Sequence, residues 1–158
     1  MTRQKTSLCY NDAMEAKALP DLAALQEEAA DFVSALEPGA SATLVTLSGE
    51  LGAGKTSFAQ GVARALGVTD AVTSPTFVLE KVYELPPDQK FGRLVHIDAY
   101  RLAGGSDLTS LDFDEILRDS ANLVLLEWPE RVAGALPALA CAITLEVAPE
   151  GGRIISYV

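Results

Sequence analysis

A three-layer α/β domain, with a mostly parallel central sheet and a closing antiparallel hairpin, is the fold class this sequence predicts. Three observations predict it. A β-prone run, Ala42-Thr43-Leu44-Val45-Thr46-Leu47, passes through a glycine-rich loop straight into an amphipathic helix. A continuous apolar run, Leu123-Val124-Leu125-Leu126, has the composition of a strand buried on both faces of a parallel sheet. Near the end, Cys141 to Val147 and Arg153 to Val158 flank the turn Pro149-Glu150-Gly151-Gly152, the pattern of an antiparallel hairpin. Helices alternating with apolar strands place helical layers on the faces of a sheet.

The elements follow in order. Residues 1–19 are polar and irregular and read as a loose leader, which leaves residues 20–158 as one domain. Asp21 suits a helix N-cap; Leu22, Leu25, Ala29, Phe32, Val33 and Leu36 then form one apolar stripe, ended by Pro38-Gly39. After the first strand and its loop, Phe58, Val62, Ala65 and Leu66 keep helical spacing until Gly67. Asp70 to Thr73 is a connection, and Ser74-Pro75-Thr76-Phe77 follows as a bend fixed by proline. Val78, Lys81, Val82 and Tyr83 read as a strand, Pro86-Pro87-Asp88 as a turn, and Leu94 to Asp98 as another strand. Gly104-Gly105-Ser106 breaks the chain before a short helix over Leu108 to Leu117. Pro129 to Leu139 is a loop or weak helix.

Bulk properties narrow the function. With 158 residues, 49% hydrophobic and 22% charged, the chain has an ordinary globular balance and room for one core. No apolar run approaches the roughly 18 residues of a membrane span, and the first residues lack a signal-peptide core. Cys9 and Cys141 form no metal-ligand spacing, and a disulfide between them is not expected, because nothing else points to an oxidising compartment. A cytoplasmic location and no membrane partner follow as expectations. Net charge is −10 and no Lys/Arg cluster exists, which argues against a free-standing nucleic-acid binder. If the protein serves RNA, a partner holds the RNA. The acidic surface would either dock on a basic partner or simply keep the chain soluble.

The loop carries the chemistry. Gly49-Glu50-Leu51-Gly52-Ala53-Gly54-Lys55-Thr56 fits G-x-x-x-x-G-K-[ST], the phosphate-binding P-loop, so the fold class becomes P-loop NTPase-like. Its glycines let successive N–H groups turn inward on phosphate oxygens, and the following helix N-terminus favours an anion. Lys55 would reach the β- and γ-phosphates, and Thr56 would take Mg²⁺. Gly52, Ala53, Gly54 and Ser57 complete the expected nucleotide contacts.

Such a site also needs an acid at the end of a buried strand. His96-Ile97-Asp98-Ala99-Tyr100 puts His96, Asp98 and Tyr100 on one strand face, and Leu123 to Leu126 runs directly into Glu127. Both acids fall where open α/β sheets hold their ligands. Glu127 would bind Mg²⁺ directly or through water beside Thr56; Asp98 would hold a water or orient the attacking one. Spacing does not assign which acid does which. Thr76 stands where a γ-phosphate-sensing switch segment would be, although a Ser-Pro turn explains it as well. His96, the one histidine, reads more readily as a satisfied strand histidine than as a general base. Trp128 either covers the metal site or packs against core or partner. Arg64 and Arg101 default to structural roles; Asp112, Asp114 and Glu115 read as a solvated helix face.

Together these blocks resemble the TsaE (YjeE) family of P-loop ATPases. The matching residues are the P-loop, Ser74-Pro75-Thr76-Phe77, His96-Ile97-Asp98-Ala99-Tyr100-Arg101-Leu102, Leu126-Glu127-Trp128-Pro129-Glu130-Arg131 and Gly152-Arg153. The resemblance implies a protein that binds ATP and Mg²⁺ and hydrolyses ATP slowly. It implies action on the TsaB–TsaD pair, which transfers threonylcarbamoyl to the tRNA adenosine next to the anticodon, so tRNA is met only through the partners. By matching position, Lys55 and Thr56 contact phosphate and Mg²⁺, Glu127 is a metal ligand, Asp98 supports hydrolysis, Thr76 is the switch threonine and Arg153 lies on the nucleotide side. The family's adenine pocket falls near Asp21 and Leu22. No arginine finger is evident, and such a finger contributes on the order of 10³–10⁵ in rate, so turnover by the isolated chain is expected to be slow. A small-molecule kinase would need a lid and acceptor pocket for which the chain has little room; a nucleotide-gated module without turnover would not need two strand-end acids.

Overall fold

Apolar alternation and helix spacing resolve into β1 (Ala16–Leu19), α1 (Leu22–Ser34), β2 (Thr43–Ser48), α2 (Lys55–Ala65), β3 (Glu80–Glu84), β4 (Arg93–Asp98), α3 (Phe113–Arg118), β5 (Asn122–Glu127), β6 (Cys141–Val147) and β7 (Arg153–Tyr157). The structure is a computed structural model that describes residues 16–73, 79–102, 107–108, 112–137 and 141–158. The strands form one 7-stranded mixed sheet in the order β1-β7-β6-β2-β5-β4-β3. The central strands β6, β2, β5 and β4 run parallel. The outer pairs, β1 with β7, β7 with β6 and β3 with β4, are antiparallel.

Successive strand residues point to opposite faces, and this splits the core in two. Val45, Leu47, Leu123, Leu125 and Ile143 face the layer of α1 and α2, where they bury Leu25, Phe32, Phe58 and Val62. Leu44, Val95, Ile97, Val124 and Leu126 face the other way, toward Phe113 of α3 and Leu108. The result is three layers, with the central strands apolar on both sides as the run from Leu123 to Leu126 requires.

α1 starts where its cap predicts: the Asp21 carboxylate accepts from the Ala24 N–H at 2.8 Å. A polar cluster, buried at Glu28 and Tyr157 and exposed at Lys17, ties this helix to the sheet edge. Tyr157 on β7 donates to Glu28 Oε1 at 2.6 Å, and Lys17 on β1 donates to Oε2 at 2.5 Å. Burial, reinforced by the Glu28 carboxylate, pushes the Tyr157 hydroxyl well above the usual tyrosine range.

Several local expectations change. Residues 16–19, read as irregular leader, form an edge strand, because β7 offers them an unpaired edge. The short helix begins only at Phe113, after Asp112 with φ 53°. The loop or weak helix expected from Pro129 onward is kept, as the short 3-10 turns Pro129–Arg131 and Ala133–Ala135. Cys141, not expected to be in a disulfide, is disulfide-bonded; Cys9 lies outside the described residues. So do Ser74 to Val78, and with them Thr76. Among the described residues no helix is long and apolar enough to cross a membrane.

Candidate functional site

The P-loop lies between β2 and α2 in a conformation only its glycines permit. Gly49 has φ 150°, and a Cβ there would stand 2.4 Å from the Leu145 carbonyl oxygen. Gly54 caps α2 with φ 108°, a region L side chains avoid. Lys55 is therefore the first helical residue. It is 5% exposed. Its ammonium donates to the Gly49 carbonyl and, at 2.9 Å, to that of Glu50. The Trp128 ring covers it, with the ring centroid 4.2 Å from Nζ. Burial pushes the lysine below its ordinary range, against the pull of Glu127, Glu130 and Asp98.

Parallel pairing of β4 with β5 sets Asp98 opposite Glu127. Both are buried, at 3% and 2% exposure, on the sheet face that carries α2. The Thr56 hydroxyl lies 3.4 Å from Glu127 Oε1, and His96 Nε2 lies 3.2 Å from the same oxygen. Asp98 Oδ1 accepts from the Tyr100 N–H at 2.9 Å, which anchors the strand end. Leu51, Gly52, Lys55, Thr56, Asp98, Tyr100, Glu127 and Trp128 enclose a cavity of about 160 Å³. Thr56 and Glu127 offer hard oxygen donors, the set that suits Mg²⁺. That ion commonly takes one or two protein oxygens and completes its shell with phosphates and water. Among the described residues no group of three His, Cys, Asp or Glu forms a protein cage.

A second cavity, about 200 Å³, adjoins the loop on its other side, lined by Asp21, Leu22, Leu25, Gly54, Ser57 and the Gly151-Gly152-Arg153 turn. The Arg153 guanidinium donates to the Gly52 carbonyl at 3.0 Å and to Gly151 and Gly152 at 3.1 Å. The start of α1 and the β6–β7 turn thus wall the P-loop.

With that geometry in view, the comparisons are specific. Residues 19–155 match the family described as threonylcarbamoyl adenosine biosynthesis protein TsaE. The chain belongs to the TsaE family. A tRNA threonylcarbamoyladenosine biosynthesis protein TsaE of Streptomyces coelicolor is 51% identical over 55% of this chain and 57% of that protein, so the match spans little more than half of that relative. The namesake of Treponema pallidum is 40% identical over 72% of this chain and 80% of its own length. The crystal structure of Bacillus subtilis YdiB superposes with a TM-score of 0.74 at 27% identity, covering 92% of this chain and 84% of that one.

The candidate residues therefore divide by place. Lys55, Thr56, Asp98, Glu127 and Gly52 share the inner cavity. Gly54, Ser57 and Arg153 share the outer one. Ala53 is buried and faces instead a groove beside β6, with Gly49 and Thr144. Arg64 bonds Gln26 on the helical surface, away from the site. Thr76 lies outside the described residues. Sequence reasoning underrated Trp128 and gave Tyr100 and Leu51 no role in the site. Trp128 adopts φ 60°, uncommon for a bulky residue. Its ring meets Tyr100 at 4.9 Å, and Arg131 stands 5.3 Å from the Tyr100 ring. The available signals were that Trp128 directly follows Glu127 and falls within the matching block from Leu126 to Arg131.

Proposed function

We propose that this TsaE-family protein is a Mg²⁺-dependent ATPase, slow in isolation, that serves threonylcarbamoylation of the tRNA adenosine next to the anticodon by acting on a TsaB–TsaD complex. The observation that carries the reading is the meeting of Lys55 and Thr56 on the P-loop helix with Glu127 and Asp98 at adjacent strand ends. Phosphoryl transfer needs positioning and charge neutralisation more than covalent help, and these groups supply both.

In this reading the loop amides from Gly52 to Ser57 bind the phosphates. Lys55 leaves the Gly49 and Glu50 carbonyls for the phosphate oxygens. Thr56 and Glu127 hold Mg²⁺, which supplies charge neutralisation when bound. Asp98 orients the attacking water. Arg153 steadies the loop from the base side, with Asp21 and Leu22 near the adenine. Leu51, 74% exposed at the mouth of the inner cavity, is an apolar tip for a partner to cover. The tRNA is reached only through the partners, consistent with net charge −10. The family's role in tRNA modification supports a cytoplasmic setting.

The test is steady-state ATP hydrolysis with Mg²⁺, alone and then with TsaB, TsaD and tRNA. Slow turnover that rises with the partners is the expected result. Stimulation by an acceptor metabolite and not by the partners would replace this reading with a small-molecule kinase.

A further inference from the structure

His96 is fully buried, and neither the P-loop nor the strand-end acids explain why a histidine stands there. It lies on β4 two positions before Asp98 and opposite Leu125 of β5, so it shares the face of Asp98 and Glu127. On that face its neighbours Leu94 and Leu125 belong to the apolar core. Its Nε2 is 3.2 Å from Glu127 Oε1. Its Nδ1 has no hydrogen-bond partner among the described residues.

These facts select one tautomer. A proton on Nδ1 would bury an unpaired donor and set the Nε2 lone pair against a carboxylate oxygen, and both are unfavourable in a low-dielectric interior. A proton on Nε2 makes a charge-assisted bond to Glu127 and leaves only a bare lone pair at Nδ1. A donor on the sheet floor at that distance orients the carboxylate. We propose that His96 is a positioning residue: its Nε2–H locks the Glu127 carboxylate beside Thr56 and so sets the metal affinity of the site.

This inference rests on the ATPase reading for the identity of the ligands. The experiment separates the two. Mg²⁺ is titrated into protein carrying a non-hydrolysable ATP analogue, and analogue affinity is also measured in EDTA. His96→Leu is expected to weaken Mg²⁺ binding about 10–100-fold, the usual effect of losing a partner behind a metal ligand, with EDTA affinity unchanged. His96→Gln, whose amide N–H reaches the position of Nε2, is expected to restore most of it. If wild type binds no nucleotide, the ATPase reading fails. If wild type binds and His96→Leu takes up Mg²⁺ equally well, this inference alone fails. Where His96→Leu does not fold, wild-type protein decides. His96 is the one histidine of the chain, so its ¹⁵N imidazole spectrum needs no assignment. A proton on Nε2 is the expected signature, and an Nε2 that carries no proton overturns the proposal.

Discussion

Lys55 donates to two main-chain carbonyls and lies under an indole ring, contacts that phosphate oxygens can replace. Moving to phosphate exchanges the Gly49 and Glu50 acceptors and the Trp128 face for anionic oxygens. Trp128 is the chain's one tryptophan, so its emission should change on addition of ATP and saturate with the calorimetric binding curve. Binding without any change in emission would show that the lysine stays under the ring. Lys55→Ala should lower ATP affinity roughly 10–100-fold, since a bond to a charged group contributes about 1.5–3 kcal/mol. Glu127→Gln tests a different step. It keeps the shape of the carboxylate and removes its charge. Nucleotide affinity in EDTA should survive, while Mg²⁺-dependent turnover falls at least about a hundredfold, because a metal contributes several kcal/mol to the transition state. Equal turnover in the variant would move the metal-binding role to Asp98.

At the scale of elements, the cluster of Lys17, Glu28 and Tyr157 joins β1, α1 and β7. Tyr157→Phe leaves Glu28 with one partner fewer and should cost about 2 kcal/mol at pH 7, read by chemical denaturation. The pH dependence has a definite sign. The fold raises the hydroxyl's pKa, so Tyr157 contributes full stability below its ordinary value of about 10 and loses it as pH climbs past that point. Wild type and Tyr157→Phe should therefore converge in alkali; parallel curves would place the effect elsewhere. The same region shows what the sequence hides. Ala16-Lys17-Ala18-Leu19 is only four residues long and holds no β-branched or aromatic residue, and the open edge of β7 makes it a strand. The P-loop, α2 and β5 were legible because loop, helix and apolar run are local signals. The site was legible as motifs but not as contacts. That Asp98 faces Glu127, and that His96 reaches it, depends on β4–β5 register, which no window of sequence contains. Trp128 was harder still, because its place over Lys55 depends on a left-handed backbone that its type does not favour.

The whole molecule carries net charge −10, and the sequence left two explanations for it, solubility or attraction to a basic partner. They differ in kinetics. Charge that only keeps the protein soluble has no bearing on encounter, so association with the proposed TsaB–TsaD complex would be nearly indifferent to salt. Charge that steers raises the association rate by 10–10³ at low ionic strength, and the effect fades as the screening length shrinks from about 30 Å at 0.01 M to about 3 Å at 1 M. Dissociation depends on short-range contacts such as those Leu51 would make and should change far less. Stopped-flow association across that salt range should show the on-rate falling at least about tenfold with a nearly constant off-rate. A flat on-rate would assign the acidic surface to solubility, and recognition would then rest on the apolar rim of the nucleotide site.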